Sequence, residues 1–235
     1  MKRPTVSLVL LVKNELEPMK EVLPKVDTNI FDDLLCMDGH STDGSIEFLE
    51  SRGIRVVQQK EMGRGKAVIE SIEQTDADAL LFFSPDGNED PSDLPRLIDT
   101  MIAHHADLVI ASRFTEGSVS DDSDDPYRIR RAGNMFFSRL ARLFWGGNVT
   151  DAINGYRLIK RDLLKHLNQD AQGYNVEIQQ TIRCLKLKKR VVEIPTREFE
   201  RVGLAKQSPT FKMGTQFTKV ILKELLLGTR FLTMI

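Results

Sequence analysis

The chain has 235 residues, of which 41% are hydrophobic and 29% are charged, and its formal net charge is -1. This size suits one globular domain, or one domain with a short appendage, and the charge balance excludes a strongly basic nucleic-acid binder, so we expect no nucleic-acid partner. The two cysteines, Cys36 and Cys184, form no metal-type pair, which favours a reduced intracellular protein. No uncharged apolar run reaches the roughly 18 residues of a membrane span, and no signal peptide is recognisable.

Strands and helices alternate through the first half of the chain. A continuous apolar run with β-branched residues predicts a strand at 6–12, and shorter segments predict strands at 33–37, 54–58, 79–83 and 108–111. Helical patterns with capping residues predict helices at 16–26, 43–52, 66–75 and 91–105. This alternation predicts an α/β fold, in which helices cover both faces of a mainly parallel sheet.

The second half of the chain is less regular. Residues 117–126 are acidic and predict a loop, for which a solvated loop and an active-site lid are both open interpretations. A basic amphipathic helix is predicted at 127–145, followed by a smaller segment with strands at 156–159 and 191–195 and helices at 162–167 and 176–187. The apolar tail, 215–235, is predicted to be helical. We therefore divide the chain into a domain at 1–210 and a C-terminal helix at 211–235.

Polar residues follow the predicted strands at the points where the strands end. In parallel sheets ligands bind at the carboxyl ends of the strands, so these residues are candidates for a site. They are Asn14, Glu15, Asp38, Asp86, Ser112 and Arg113.

The turn Ser84-Pro85-Asp86-Gly87-Asn88 is the most informative of these segments. Mg²⁺ and Mn²⁺ prefer oxygen ligands, and Asp86 supplies a carboxylate while Asn88 and Ser84 supply further oxygens. A plain turn that leads into a helix is the alternative interpretation. Two other segments, residues 38–45 and the glycine-rich Gly63-Arg64-Gly65-Lys66-Ala67, open helices after strands. Neither has the spacing of a dinucleotide fingerprint or a P-loop.

Together and in this order, the motifs resemble glycosyltransferase family 2 with its GT-A fold, most closely the dolichyl- or polyprenyl-phosphate sugar synthase branch. The resemblance runs from Thr5 to about Lys206. It rests on six segments: Val-Lys-Asn-Glu at 12–15, Asp-Gly-His-Ser-Thr-Asp-Gly-Ser at 38–45, Gly-Arg-Gly-Lys-Ala at 63–67, Ala-Ser-Arg-Phe at 111–114, Asp-Ala-Ile-Asn-Gly-Tyr-Arg at 151–157, and Glu-Ile-Pro at 193–195 followed by Arg201 and Lys206.

The resemblance implies an inverting transfer of a sugar from a GDP- or UDP-linked donor, with Mg²⁺ or Mn²⁺ as cofactor. It implies three sets of residues. The nucleotide-sugar set is Val12, Asn14, Glu15, Asp38, Gly63, Lys66, Ser84, Asp86, Arg113, Arg201 and Lys206. The metal set is Asp86 with Asn88, and the acceptor set is Arg131, Asp151, Asn154 and Arg157. We expect Asp86, Asp151 and Arg113 to be the catalytic residues, with Asp151 as the base if the acceptor is a hydroxyl.

Three interpretations of the function stay open, of which the first two differ in the acceptor. A polyprenyl or dolichyl phosphate is the first, and a saccharide or small soluble acceptor is the second. A non-catalytic nucleotide-sugar-binding protein is the third, because Ser84 stands where the family usually has the first aspartate of its Asp-x-Asp motif.

The basic helix and the apolar tail suggest where the protein works. Arginines beside an aromatic face are typical of helices at a membrane surface, although a core-packed helix with a solvated basic face explains them equally well. The tail is suited to an interface anchor or to a homodimer contact. We therefore expect a cytoplasmic protein with peripheral contact to the cytoplasmic face of a membrane.

Overall fold

The computed structural model describes residues 3–119, 128–202 and 210–233. Within these residues seven strands form one sheet: β1 Val6–Val12, β2 Asp33–Asp38, β3 Arg55–Gln58, β4 Ala79–Phe83, β5 Leu108–Ser112, β6 Arg157–Lys160 and β7 Val191–Pro195. Their order in the sheet is β3-β2-β1-β4-β6-β5-β7. All pairs are parallel except those of β6, which runs antiparallel between β4 and β5. The prediction of an α/β fold with a mainly parallel sheet is confirmed.

Eight α-helices connect and cover the strands in the described part of the chain. They are α1 Leu16–Val22, α2 Ser45–Glu50, α3 Arg64–Ser71, α4 Asp93–Ala103, α5 Ile129–Trp145, α6 Arg161–His166, α7 Val176–Lys186 and α8 Thr210–Leu227. Helix α1 is shorter than predicted, because Pro24 has no amide hydrogen to continue the helical ladder. The chain instead closes a short 3₁₀ turn at Leu23–Lys25.

The sheet divides the core into two layers, because successive side chains of a strand point to opposite faces. In β1, Val9 joins one layer, while Leu8 and Leu10 join the other. Helices α1, α2 and α4 cover the layer that contains Leu8 and Leu10. Helices α3, α5, α6, α7 and α8 cover the layer that contains Val9.

Helix α7 is the centre of the second layer, and its residues from Val176 to Leu185 are all buried. Helices α5, α7 and α8 contact one another. Phe217, Val220 and Ile221 of α8 belong to the same core cluster as α7, so α8 packs against the body of the domain. The division of the chain near residue 210 stays a prediction. Among the described helices, none combines the length and the apolar character that a bilayer-crossing segment needs.

Candidate functional site

A cavity of about 430 Å³ lies at the carboxyl ends of β1, β2 and β4. The three strands are neighbours in the sheet, so the segments that follow them meet at one edge. Six of the predicted nucleotide-sugar residues line this cavity, namely Val12, Glu15, Gly63, Ser84, Asp86 and Arg201. Lys206 lies outside the described residues. The topology therefore brings together segments that are far apart in the sequence.

Asp38 ends β2 and is fully buried beside this cavity, whose wall includes the next residue, Gly39. Its Oδ2 accepts a hydrogen bond from the Ser41 amide at 2.9 Å. Its Oδ1 is also buried, and no donor from the described part of the chain reaches it. A buried acceptor without a partner is costly, so this oxygen is suited to a donor group of a ligand, such as a base N–H or a ribose hydroxyl.

Asn14 connects the loops that follow β1 and β2. Its amide donates to Ser41 Oγ at 2.8 Å, and its Oδ1 accepts from the Thr42 amide at 2.8 Å. The residue has a left-handed backbone, with φ of 53°, which asparagine tolerates better than most residues. These contacts give Asn14 a structural task in shaping the cavity rim, and its predicted contact with a nucleoside stays a prediction.

The turn after β4 carries the predicted metal and diphosphate residues. Asp86 Oδ1 accepts from the Asn88 amide at 3.1 Å, and Asp86 Oδ2 lies 3.3 Å from Arg201 Nε. The segment that contains Arg201 also holds the turn through backbone bonds, from the Val202 amide to Asp86 O and from the Phe199 amide to Asn88 O. Asp86 is therefore held at the cavity next to a guanidinium group.

Glu89, which follows this turn, contributes less negative charge than its position suggests. Burial raises the pKa of Glu89 to about 8, and the nearby charge of Asp86 adds to the rise. The carboxylate accepts a hydrogen bond from the Ser84 amide at 2.8 Å, which holds it within the turn. The raised pKa means that Glu89 carries less than a full negative charge near neutral pH.

The oxygens of this turn fit a divalent cation in chemistry, although they are few. Asp86 offers a carboxylate, and Asn88 uses its Nδ2 to donate to Phe199 O at 2.7 Å, which leaves its Oδ1 as an acceptor. The described residues contain no group of three His, Cys, Asp or Glu side chains suited to a metal. Mg²⁺ is often held by one or two carboxylates together with substrate phosphates. The turn therefore fits a cation whose remaining ligands come from a bound diphosphate.

Arg64, which lines the same cavity, belongs to an ion pair that the sequence did not reveal. Arg64, in the first turn of α3, pairs with the buried carboxylate of Glu177 in α7. The same guanidinium donates from Nη1 to Ser84 Oγ at 3.2 Å. Glu177 Oε2 is buried, and no described group donates to it. A cation therefore sits beside the position where the family usually has its first aspartate.

The glycines around Arg64 explain how the pair is accommodated. At Gly155 an added Cβ would lie 2.0 Å from Arg64 Nη2, so a side chain there would displace the guanidinium. At Gly65 an added Cβ would lie 2.1 Å from the backbone oxygen of Ala171. The Gly65 amide also donates to Gln172 O at 2.9 Å. The glycine-rich segment therefore allows α3 to approach the backbone that precedes α7. The flanking glycines were the one sequence signal that could have pointed to Arg64.

We expect Gly65→Ala to destabilise the fold by about 1–3 kcal/mol, because the added methyl group meets backbone that cannot move aside as a side chain would. Chemical denaturation measures this loss. Gly133→Ala is the matched control, since Gly133 lies within α5 and an added Cβ there meets nothing within 4 Å. The control should be neutral or slightly stabilising. Equal stability of the two variants would refute the close approach at Gly65.

Arg113 and Asp151 form a two-pronged ion pair at the end of β5. Arg113 Nε lies 2.8 Å from Asp151 Oδ2, and Arg113 Nη2 lies 3.1 Å from Asp151 Oδ1. Burial by itself would raise the pKa of Asp151, but the Arg113 charge and the hydrogen bonds lower it overall. Asp151 is fully buried. This geometry suits Asp151 to positioning Arg113, and its predicted role as a base stays a prediction.

The other predicted acceptor residues divide between the surface and the interior. Arg131 places its guanidinium over the Phe114 ring at 5.2 Å, next to Arg113, which lies over the same ring at 5.3 Å. Asn154 donates from Nδ2 to Ala111 O. Arg157 is only 1% exposed, and its guanidinium donates to Asn154 O, Glu177 O, Gln180 and Thr181. This gives Arg157 a structural role in the interior, and a contact with an acceptor stays a prediction.

Lys66, the remaining predicted nucleotide-sugar residue, is not among the described residues that line the cavity. Its Nζ lies 3.0 Å from Glu61 Oε2, in an ion pair at the rim. Gly63, which precedes α3, has a φ of 136°, a backbone conformation that favours glycine. Gly63 therefore shapes the cavity wall directly.

Comparison with known proteins agrees with this geometry. Residues 7–167 match the family model described as glycosyl transferase family 2. The chain is 30% identical over 220 residues to the dolichyl-phosphate hexose transferase of Haloferax volcanii, and the match covers 92% of each protein. It is 30% identical over 210 residues to the undecaprenyl-phosphate mannosyltransferase of Micrococcus luteus, covering 83% of this chain and 84% of that protein.

One further sequence relative and one solved structure match the chain at lower identity. Glycosyltransferase AglJ of Haloferax volcanii is 28% identical over 192 residues, which cover 80% of this chain but 61% of that longer protein. Among solved structures, glucosyl-3-phosphoglycerate synthase of Mycobacterium tuberculosis, in complex with Mn²⁺, UDP and glucosyl-3-phosphoglycerate, matches with a TM-score of 0.71 and 24% identity. That match covers 96% of this chain and 80% of the synthase. It shows that the fold is of the GT-A type.

The family model covers more than half of the chain, and two relatives that are 30% identical cover most of it. The chain therefore belongs to glycosyl transferase family 2 and is a glycosyltransferase.

Proposed function

We propose that the protein transfers a hexose from a nucleoside-diphosphate sugar to a polyprenyl or dolichyl phosphate, with inversion at the anomeric carbon. The observation that carries the proposal is the charge pattern of the cavity, in which the carboxylate of Asp86 pairs with Arg201 and the guanidinium of Arg64 reaches the neighbouring Ser84. A diphosphate with a divalent cation complements this pattern, because its oxygens meet the guanidinium groups while the cation meets the carboxylate.

The nucleoside end of the donor fits the opposite side of the cavity. The unpartnered oxygen of Asp38 would accept a hydrogen bond from the base or the ribose. Glu15 and Gly39, which directly follows Asp38, also line the cavity. The solved synthase of Mycobacterium tuberculosis holds UDP, which supports a nucleoside-diphosphate donor here, and the choice between a UDP and a GDP sugar is left to experiment.

The residues would act mainly by stabilising charge. Negative charge grows on the leaving diphosphate as the bond to the sugar breaks, and Arg64 and Arg201 lie where they would balance it. A Mg²⁺ or Mn²⁺ ion held by Asp86 and Asn88 would supply further electrostatic stabilisation. The buried Glu177 fixes the guanidinium of Arg64, so this positively charged group is in place before the reaction begins.

A lipid phosphate is the acceptor that this site and the relatives support best. Two relatives have names that specify a dolichyl phosphate and an undecaprenyl phosphate. A phosphate monoester is already an anion near neutral pH, so it attacks without a general base. Asp151, which is buried and paired with Arg113, need not take a proton in this mechanism. Arg113 and Arg131, which share the Phe114 ring, would guide the acceptor phosphate. We place this reaction at the cytoplasmic face of a membrane.

Donor binding can be tested first, by a thermal-shift screen of UDP and GDP sugars with Mn²⁺ present. A ligand that binds the folded state raises the melting temperature by mass action, and one donor class should give the larger shift. The shift should shrink when EDTA replaces Mn²⁺, because without the cation Asp86 repels the diphosphate and only the arginines attract it. If no nucleotide sugar shifts the melting temperature with or without metal, the assignment of the cavity fails.

Because Ser84 stands where the family usually has an aspartate, a second function is also considered. A protein that binds a nucleotide sugar without transferring it would show the same thermal shift but no product with a lipid phosphate, a saccharide or a small soluble acceptor. Arg64, which donates to Ser84, is the feature that favours this reading, because it places a cation where the family usually has an acid.

A further inference from the structure

Helix α5 exposes an apolar stripe on the side that faces away from the core. Ile129, Phe136 and Leu143 recur every seven residues, so they lie on one face of the helix, and all three are exposed. Leu143 is 74% exposed. The buried residues of the same helix, Ser138 and Ala141, lie on the opposite face.

Helix α8 repeats this arrangement. Leu222 and Leu226 are one turn apart and exposed, and Leu226 is 79% exposed. The opposite face of α8 packs into the core through Phe217 and Ile221. Large apolar side chains at such exposure form a surface that in many proteins marks an interaction site.

The two stripes lie on the same side of the molecule. Both helices pack against the buried helix α7, and they also contact each other, with the Phe137 and Phe217 rings 5.3 Å apart. Faces that point away from α7 on two adjacent helices point toward the same side. We call the exposed residues of these two faces the α5–α8 surface; they are Ile129, Phe136, Arg139, Arg142, Leu143, Lys219, Leu222 and Leu226.

The charge of the α5–α8 surface is of one sign. Helix α5 contains no acidic residue, and the single acid of α8, Glu224, is fully buried against Arg183 and Lys186. The exposed charges that remain are cations, among them Arg139, Arg142 and Lys219. The whole chain has a formal net charge of -1, so this local excess of cations is not a property of the composition.

We propose that the α5–α8 surface docks the enzyme onto an anionic lipid bilayer, with the leucines and Phe136 in the boundary between headgroups and acyl chains and the arginines and lysines against lipid phosphates. An apolar stripe with a basic rim is the pattern that binds helices to the plane of a membrane surface. Each cation near an anionic bilayer strengthens binding about fivefold.

A second copy of the chain is the other occupant to consider, and the charges oppose it. Two α5–α8 surfaces brought face to face would place Arg139, Arg142 and Lys219 of one copy close to cations of the other. No acidic residue is exposed on the described parts of the two helices to offset this repulsion. An anionic bilayer complements both the apolar stripe and the basic rim.

The helix that carries the apolar stripe also reaches the site, through a residue near its N-terminal end. Arg131, in the first turns of α5, lies over the Phe114 ring, which also carries Arg113. Docking through α5 would therefore hold the acceptor side of the cavity near the bilayer. This part of the inference rests on the proposed function, in which the acceptor is a lipid phosphate, whereas the docking itself does not.

The test measures binding of the full chain to vesicles by flotation, without donor or acceptor. Vesicles of phosphatidylcholine alone are compared with vesicles that contain about one-third phosphatidylglycerol. The wild-type chain should float with the anionic vesicles, and raised salt should release it. Arg139→Glu with Arg142→Glu should weaken partitioning roughly twentyfold or more. Leu143→Gln should weaken it severalfold.

Matched variants on the other face of the sheet control for general effects. Lys25→Glu with Arg52→Glu makes the same change of charge at exposed positions beside the opposite layer, and Ile102→Gln removes an exposed apolar residue of α4. These variants should float like the wild-type chain. Equal flotation of the Arg139 and Arg142 variant and the wild type would overturn the proposal. So would dimerisation in solution that Leu143→Gln abolishes.

The transfer reaction separates docking from the proposed function. The docking variants should keep wild-type transfer to a short, water-soluble prenyl phosphate and lose transfer to a long-chain acceptor in vesicles. If the chain floats with anionic vesicles but transfers sugar to neither acceptor, the proposed function is wrong and the docking proposal still holds.

Discussion

Asp86→Ala should lower sugar transfer by about a hundredfold or more, with a parallel loss of metal-dependent diphosphate binding. Asp86 is the charged metal ligand that we propose in the turn after β4, and it also pairs with Arg201 at 3.3 Å. Removing it would take away the carboxylate that would hold the cation and would leave Arg201 without this partner. Losses of this size are typical when a preorganised electrostatic group is removed from a site. Initial rates with saturating donor and the Mn²⁺ dependence of donor binding measure both effects.

Two variants control for this interpretation. Ser84→Ala removes one hydrogen bond from Arg64 and should cost about tenfold or less. Asp86→Asn keeps an oxygen but not the charge, so its rate should lie between those of Asp86→Ala and the wild type. Melting temperatures show whether the variants are folded. Full transfer activity in a folded Asp86→Ala variant would mean that the site assignment is wrong.

Glu224→Ala should destabilise the fold by about 3–5 kcal/mol. Glu224 is fully buried, with Arg183 at 2.8 Å and Lys186 at 2.5 Å, and both cations are themselves almost fully buried. Removing one partner of a buried ion network leaves uncompensated charge in the interior, which is among the most costly single changes. Burial already lowers the pKa of Lys186 even with Glu224 present, so the ammonium group depends on this carboxylate. Urea unfolding measures the loss.

Lys223→Ala is the neighbouring control for Glu224→Ala. Lys223 pairs with Asp170 on the surface, where both side chains are more than 40% exposed. An exposed pair of this kind contributes up to about 1 kcal/mol, so the control should change stability little. If Glu224→Ala costs no more than Lys223→Ala, the buried network does not hold α8 to α7 as the geometry indicates.

The strands could be predicted because their apolar runs are long and bounded by polar turns. The continuous run of β1 and the short run of β4, which ends before Pro85, were predicted with the bounds that the structure has. The direction of β6 could not be predicted in this way, because it depends on where the chain enters the sheet and not on local sequence. The end of α1 differs from the prediction for a local reason, since Pro24 stops the helix although the apolar pattern continues.

The site was predictable to the extent that its residues follow strand ends in order. Asp86 and Asp38 were found in that way, and the structure places both at the same sheet edge. The pairing of Arg64 with Glu177 is not predictable from the sequence, because 113 residues separate the two and the glycine-rich motif around Arg64 does not indicate its partner. Contacts of this kind depend on how α3 and α7 pack, which periodicity does not reveal.

The central claim is that a lipid phosphate attacks the donor sugar at this cavity. It is tested most directly by incubating the wild-type chain with a radiolabelled nucleotide sugar and either a polyprenyl phosphate or the polyprenol of the same length, and then counting label in the organic phase. The account predicts organic label with the phosphate and almost none with the alcohol. Equal labelling of the alcohol, or tight donor binding with no labelled lipid at all, would contradict it.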